Sequence, residues 1–266
     1  MKRNNSLIHI YKILSFALPI SMSMLISMIS GFVAMVLVAK LGKVELAAGA
    51  LAIPTFITIL TIFSTIFYSL GVLISHYKAQ EKTEVEIGRL IKNGFFLAIV
   101  LSIPANLICW NIDKILMLFR QNPHLVELTG RYFIYAGLVM IPSLLGSVMF
   151  QMFLGMGKPR LMMFVSLLTL PLTILLSYAL ILGKAGFPQM GLAGVSCASF
   201  IVQTLACIGI LFYIQRQPII KNYAIFSGSL WPEWSLCKAI FYLGIPIGIQ
   251  FGAELAALAV STYFMG

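Results

Sequence analysis

The chain has 266 residues, of which 60% are hydrophobic and 10% are charged. About a quarter of the residues in a soluble domain are charged, so this composition excludes an ordinary soluble fold and indicates a protein that crosses a membrane several times. The formal net charge of +10 would suggest a nucleic-acid partner in a soluble chain, but here the basic residues fall between apolar runs. We therefore expect no binding to nucleic acid.

Six stretches contain no Asp, Glu, Lys or Arg and are each long enough to cross a bilayer. They are residues 13–39, 46–77, 93–112, 132–157, 161–183 and 185–215. A helix rises about 1.5 Å per residue and a bilayer core is about 30 Å thick, so roughly 20 apolar residues suffice. A seventh stretch, 239–266, is interrupted once, by Glu254. The sequence thus predicts an all-α, polytopic membrane protein with about seven transmembrane helices.

The predicted helices are placed by these runs. They cover roughly 14–38, 48–75, 93–112, 132–155, 161–182, 191–213 and 240–263. The first run is too long for the apolar region of a signal peptide, so we expect it to be an uncleaved helix. Counted on alternate sides, 12 Lys and Arg residues lie on the side of the N-terminus and 6 on the other. This bias predicts a cytoplasmic N-terminus.

The first and seventh runs begin alike, with Leu14–Ile20 matched by Phe241–Ile247. Pro19 and Pro246 occupy the same place in the two segments, which is typical of the internal repeats of secondary transporters. Chance is the alternative, because proline is common near helix starts. A repeat would divide the chain into a six-helix lobe at 1–215, a cytoplasmic connection at 216–238 and the first helix of a second, truncated lobe at 239–266. The chain would then be a fragment.

Glu254 is the one charged residue inside any apolar run. Helical spacing places Gln250 and Ser261 on its face. A row of small residues follows roughly the opposite side: Gly244, Gly248, Gly252 and Ala256. Such rows let two helix backbones approach closely. The seventh helix should therefore pack along one side and present a carboxylate on the other.

An acidic side chain at the centre of a membrane helix costs about 2.5–3.5 kcal/mol, so we expect compensation for Glu254. A proton, a neighbouring donor or a bound cation such as Na⁺ could supply it, and Na⁺ would be held by carboxylate, amide and hydroxyl oxygens. Glu254 and Gln250, with Ser261, are the candidate cation or substrate ligands. The alternative is a glutamate that reaches the outer interface or bonds to another helix.

Other polar groups inside the runs have a structural interpretation beside the functional one. Ser23, Ser27 and Ser30 share one face of the first helix, and helix packing is the favoured role for them. Asn106, Gln151 and Gln203 are candidates for lining a polar cavity, with hydrogen bonds between helices as the alternative. No run contains paired acids, a histidine cluster or a nucleophile with its base, so we expect neither an enzyme nor a bound cofactor.

Several motifs together carry a resemblance to a known family. They are Leu18–Ile20, Gly31–Val33 through Lys40–Gly42, Leu154–Arg160, Gly183–Gly194, and Leu243–Pro246 leading to Glu254. In order and spacing the chain resembles the multidrug and toxic compound extrusion (MATE) antiporters along its whole length. The resemblance implies a plasma-membrane protein of two six-helix lobes that exports drugs or organic cations in exchange for Na⁺ or H⁺. It also implies a role for Glu254 in cation coupling or substrate binding.

The chain departs from the family pattern at three positions. Ala34 stands where many bacterial members carry an aspartate in the first helix, and Thr173 and Ser177 stand where they often carry asparagines. Hydroxyls cannot replace the missing carboxylate charge, so either Glu254 carries coupling alone or coupling has been lost. Thr173 and Ser177 remain candidate ligands. Two alternatives stay open: a lipid-linked oligosaccharide flippase of the same superfamily, and a fragment that does not transport.

Overall fold

The computed structural model describes residues 2–118, 122–184, 186–217, 222–225 and 231–265, with the side chains of 2–12, 252 and 255–265 outside the description. Within those ranges the chain forms helices joined by short connections. They are α1 (Lys2–Ala39), α2 (Lys43–Ser64), α3 (Tyr68–Ala79), α4 (Glu84–Trp110), α5 (Ile112–Leu118), α6 (Pro123–Gly155), α7 (Pro159–Leu182), α8 (Ala193–Arg216) and α9 (Trp234–Met265). A 3₁₀ turn, Thr65–Phe67, joins α2 to α3 within one continuous span.

Seven of the described spans are long and apolar enough to cross a membrane. This confirms the predicted fold class, but most helices run further than predicted. α6 begins at Pro123 rather than near 132, and α9 begins at Trp234 rather than near 240. A charge-free run measures the apolar part of a helix, whereas a helix can continue past it into charged turns. The helix α5 and the 3₁₀ turn inside the second span were not predicted.

Local residue chemistry fixes several helix ends. Thr83 and Glu86 form a capping box at the start of α4, each side chain bonding the other's backbone N–H. Asn122 caps α6 by accepting from the His124 N–H at 3.0 Å. At the end of α7, Gly183 adopts φ 65°, a left-handed conformation that glycine reaches without strain. These contacts fix the starts of α4 and α6 and the end of α7.

The helix α6 lies at the centre of the bundle and contacts α2, α3, α4, α5, α7 and α8. The helix α1 packs along α7, and α7 also contacts α8. Two buried apolar clusters hold the bundle together. One surrounds the second half of α6, including Val148 and Phe153, and the other surrounds its first half, including Phe133 and Met140. Because α6 belongs to both clusters, the other helices are arranged around it.

The last helix, α9, lies at one edge of this bundle and packs against the second span and α4. Ser69 donates a hydrogen bond to the carbonyl of Ile240 at 2.8 Å. Asn93 of α4 accepts from the backbone N–H of Glu233 at 2.8 Å, just before α9 begins. The connection before α9 also lies against α4, where a Cβ added at Gly88 would overlap the backbone of Tyr223. The start of α9 is therefore held by specific contacts.

Candidate ligand-binding cavity

An open cavity of about 430 Å³ lies beside the second half of α6 and is lined by α1, α6, α7, α8 and the second span. About half of its lining residues carry hydroxyl or amide groups, and the others are mostly apolar. The polar lining comprises Ser23, Ser27, Ser30, Ser64, Tyr68, Ser143, Ser147, Gln151, Ser166, Thr169, Thr173, Ser199 and Gln203. The position is unusual for so many polar groups, because the helices that carry them are long and apolar enough to span a bilayer.

Six of these hydroxyls share one hydrogen-bond pattern. The side chains of Ser23, Ser64, Ser147, Thr169, Thr173 and Ser199 each donate to a backbone carbonyl three or four residues earlier, at 2.8–3.2 Å. A carbonyl has no proton, so the hydroxyl must be the donor in every case. Each hydroxyl therefore keeps its oxygen lone pairs for another partner, and the wall is rich in hydrogen-bond acceptors.

The described lining contains no Asp, Glu, Lys, Arg or His side chain. The titratable groups in it are the Tyr68 phenol and the Cys207 thiol, both of which are ordinarily protonated at neutral pH. The cavity is thus polar but carries no formal charge near pH 7 on the part of the chain that the structure describes. Any ligand would be recognised through hydrogen bonds, shape and apolar contact.

The structure separates the two candidates on α7. Thr173 lines the cavity and is partly buried. Ser177, one helical turn further, does not line it; the residue is 2% exposed and its Oγ has no hydrogen-bond partner among the described residues. Thr173 is therefore placed to meet a ligand, and Ser177 is buried in the helix packing.

The candidates on α9 lie outside the cavity wall. Gln250 and Glu254 are exposed, and neither is among the described lining residues. Ser261 lies in α9, beyond the side chains that the structure describes. The link between α9 and the cavity is Phe251, whose ring meets that of the lining residue Tyr68 edge to face, with centroids 5.5 Å apart. The face of Glu254 is thus one aromatic contact away from the cavity.

The serine face of α1 lines the cavity. Ser23, Ser27 and Ser30 all line it, on the helix that packs along α7. Of the three predicted amides, Gln151 and Gln203 line the cavity and Asn106 does not. Asn106 is buried beside Gly137 instead.

Beyond Gln151 and Gln203, sequence reasoning missed the hydroxyl lining contributed by α6 and α8, notably Ser143, Ser147 and Ser199. A weak signal was present, because Ser143 follows Pro142, and both residues line the cavity. Proline inside a helix removes a backbone hydrogen bond and tends to mark irregular, polar places in membrane helices. Single serines in long apolar runs are otherwise too common to single out.

The fold and this cavity define an α-helical membrane protein with an open cavity among its spans, whose described lining is polar in part and carries no charged side chain. Comparison with known proteins gives its family. The profile of the MatE family matches residues 19–179, and the chain belongs to that family.

Two curated relatives and one solved structure illustrate the relationship. The chain is 30% identical over 230 residues to a probable multidrug resistance protein NorM of Rhizobium meliloti, covering 86% of this chain and 49% of the relative. It is 25% identical over 252 residues to a probable NorM of Neisseria meningitidis, covering 94% and 55%. The crystal structure of MATE in complex with MaL6 superposes with a TM-score of 0.79 at 17% identity, over 96% of this chain and 54% of that one. The chain spans about half the length of these curated relatives.

Proposed function

We propose that residues 1–266 form one lobe of a cation-coupled multidrug exporter together with the first helix of a second lobe. Residues 1–215 would make the first lobe, 216–238 the connection, and 239–266 the start of the second. The packing supports this division, because α6 is surrounded by helices of the first lobe while α9 lies at the bundle edge. The names of the relatives, probable multidrug resistance proteins, support drugs or organic cations as the exported molecules.

The observation that carries the proposal is the polar, uncharged cavity inside the helix bundle. Its volume of about 430 Å³ lies in the range of small-molecule pockets. Acceptor oxygens inside membrane-length helices cost free energy unless a hydrogen-bonding partner, such as water or a ligand, meets them. A transported small molecule is such a partner, whereas an enzyme would need a catalytic set in the same place.

Glu254 is the proposed site for the coupling ion, H⁺ or Na⁺. Its carboxylate could take up a proton, or it could bind Na⁺ with oxygens of Gln250 and Ser261, which share its helical face. The contact between Phe251 and Tyr68 supports communication between this face and the cavity. Binding of the coupling ion at Glu254 would then shift α9 near Phe251, whose ring contacts Tyr68 in the cavity wall.

The protein would reside in the bacterial inner membrane, with its N-terminus in the cytoplasm as the distribution of Lys and Arg predicts. Because the curated relatives are about twice as long as the matched region, we propose that transport requires a second lobe in addition to residues 1–266. Lipid and the exported molecule are the remaining expected partners.

A flippase for lipid-linked oligosaccharides is the second candidate. Its pyrophosphate ligand would call for Arg or Lys in the cavity wall. The described lining has neither, and hydroxyls whose protons are already donated to backbone carbonyls offer only acceptors to a pyrophosphate group that itself has only acceptors. The cavity chemistry therefore favours the exporter.

The exporter is tested by dye efflux in energised everted vesicles that contain the protein completed with a second lobe. We expect cation-driven efflux, and Glu254→Gln should abolish it while membrane insertion stays normal. The matched control is Glu127→Gln, since Glu127 is an exposed acid in a surface ion pair with Arg131. Undiminished efflux by the Glu254 variant would refute the coupling role, and no efflux by the unmodified protein would refute the exporter.

A further inference from the structure

The hydrogen bonds of the hydroxyls in the cavity wall indicate which hydrogen-bonding groups a ligand must carry. Thr169 and Thr173 of α7 donate to backbone carbonyls at 3.1 and 2.8 Å, and Ser199 of α8 does so at 2.9 Å. Their protons are therefore engaged, and their lone pairs remain available. A ligand that meets this part of the wall must bring its own hydrogen-bond donors.

The same wall lacks the features that bind quaternary ammonium ions. Such ions have no N–H group and are held by aromatic cages, through cation–π attraction, or by carboxylates. The aromatic residues in the described lining are Tyr68 and Phe150. The ring of Tyr68 already meets the ring of Phe251, and no carboxylate is present in the described lining. A permanently methylated cation would lose its hydration shell without gaining a replacement.

We propose that the cavity selects its ligands by N–H donors, so that it binds amphipathic primary or secondary ammonium ions in preference to quaternary ammonium ions of the same skeleton. This rests on the proposed exporter function and names the substrate class of the same cavity. The ammonium group donates to the oxygens of Thr169, Thr173 and Ser199, and the apolar part of the ligand lies against Leu170 and Val202.

The size of the preference follows from hydrogen bonding. Losing one hydrogen bond to a charged group weakens binding by about tenfold or more. The three extra methyl groups of a quaternary ion add apolar area, which by itself would strengthen binding. A weaker quaternary ligand is therefore an outcome that hydrophobic partitioning cannot produce.

The test is a fluorescence titration of the 266-residue chain in lipid nanodiscs at pH 7, with empty nanodiscs as the blank. The two probes are anthracen-9-ylmethylammonium and its N,N,N-trimethyl derivative, which share one ring system and one positive charge. We expect the primary ammonium to bind at least about tenfold more tightly. Equal binding, tighter binding of the trimethyl compound, or no binding of either would overturn the proposal.

A double variant, Thr169→Val with Thr173→Val, removes two acceptors while keeping side-chain volume. It should reduce the ratio of the two affinities several-fold. The control is Thr58→Val, because Thr58 donates to the Pro54 carbonyl at 2.9 Å in the same way but is exposed outside the described lining. It should leave the ratio unchanged, and an unchanged ratio in the double variant would overturn the proposal. The ratio of the two affinities does not depend on the fraction of folded protein. If efflux failed while this ratio was retained, the exporter function would be refuted but the ligand preference would stand.

Discussion

Gly244 of α9 lies directly against Ile66 in the 3₁₀ turn of the second span. A Cβ built on Gly244 would approach the Ile66 carbonyl oxygen and lie 2.8 Å from the Ile66 Cα. One turn further along α9, a Cβ on Gly248 would lie 3.2 Å from the Thr65 Oγ1. The predicted small-residue row is thus confirmed as a packing face at these two positions. It brings α9 into backbone contact with the one irregular turn of the second span.

Gly244→Ala should destabilise the protein by about 1–3 kcal/mol, because the added methyl meets backbone atoms that cannot move aside independently. The matched control is Gly209→Ala in α8, where an added Cβ would have no atom within 4 Å. That change should be neutral or stabilising by up to about 1 kcal/mol. Unfolding midpoints in detergent measure both, and equal midpoints would contradict the close packing of α9.

Asn93 joins α4 to the start of α9 through two hydrogen bonds, and a third, within α4, orients its amide. Its Oδ1 accepts from the Glu233 N–H at 2.8 Å and from the Cys237 thiol at 3.3 Å, while its Nδ2 donates to the Arg89 carbonyl at 2.8 Å. Asn93→Leu leaves a helix-start N–H without its partner and should cost about 1–3 kcal/mol. Asn93→Asp keeps the acceptor and should cost less.

The ion pair beside this junction provides the comparison. Arg89 and Glu233 lie 3.8 Å apart, with side chains 61% and 47% exposed. Exposed pairs of this kind contribute about 0–1 kcal/mol, so Glu233→Gln should have a small effect. Hydrogen exchange at the first turn of α9 should accelerate in Asn93→Leu and stay close to normal in Glu233→Gln. The reverse order would show that charge, rather than the buried amide, fixes α9.

Ser177→Ala should leave ligand binding unchanged and stability equal or higher. The Ser177 Oγ is buried without a hydrogen-bond partner among the described residues, and removing an unpaired buried hydroxyl relieves its desolvation cost. Thermal denaturation and titration with the primary ammonium probe measure the two effects. Loss of binding in Ser177→Ala, with normal folding, would restore Ser177 as a ligand residue.

Residues 1–266 expressed alone should confer no drug resistance, because the helix that carries Glu254 would have one packed side and no second lobe to complete a transport path. Growth of a drug-sensitive host at graded drug concentrations measures this, and an immunoblot of the membrane fraction verifies that the chain is present. Resistance above that of the empty vector would show that this length of chain transports by itself.

The sequence by itself determined that the chain spans a membrane seven times, because bilayer thickness sets a minimum length for an apolar run and few charges interrupt these runs. It also determined the packing side of α9, since glycines spaced by four residues fall on one helical face whatever the partner helix is. The motifs that carry the resemblance to the MATE family lie in these spans and in the connections between them.

Tertiary structure alone decided which polar groups share a cavity. Thr173 and Ser177 are one turn apart on α7, yet Thr173 lines the cavity and Ser177 is buried without a partner. Helical spacing shows on which face of a helix a residue lies. The angle at which neighbouring helices cross decides whether that face meets a cavity or another helix at a given position along it. The break at Thr65–Phe67 was likewise decided by tertiary structure, because it lies in a run without charged residues and packs against Gly244 of a helix distant in sequence.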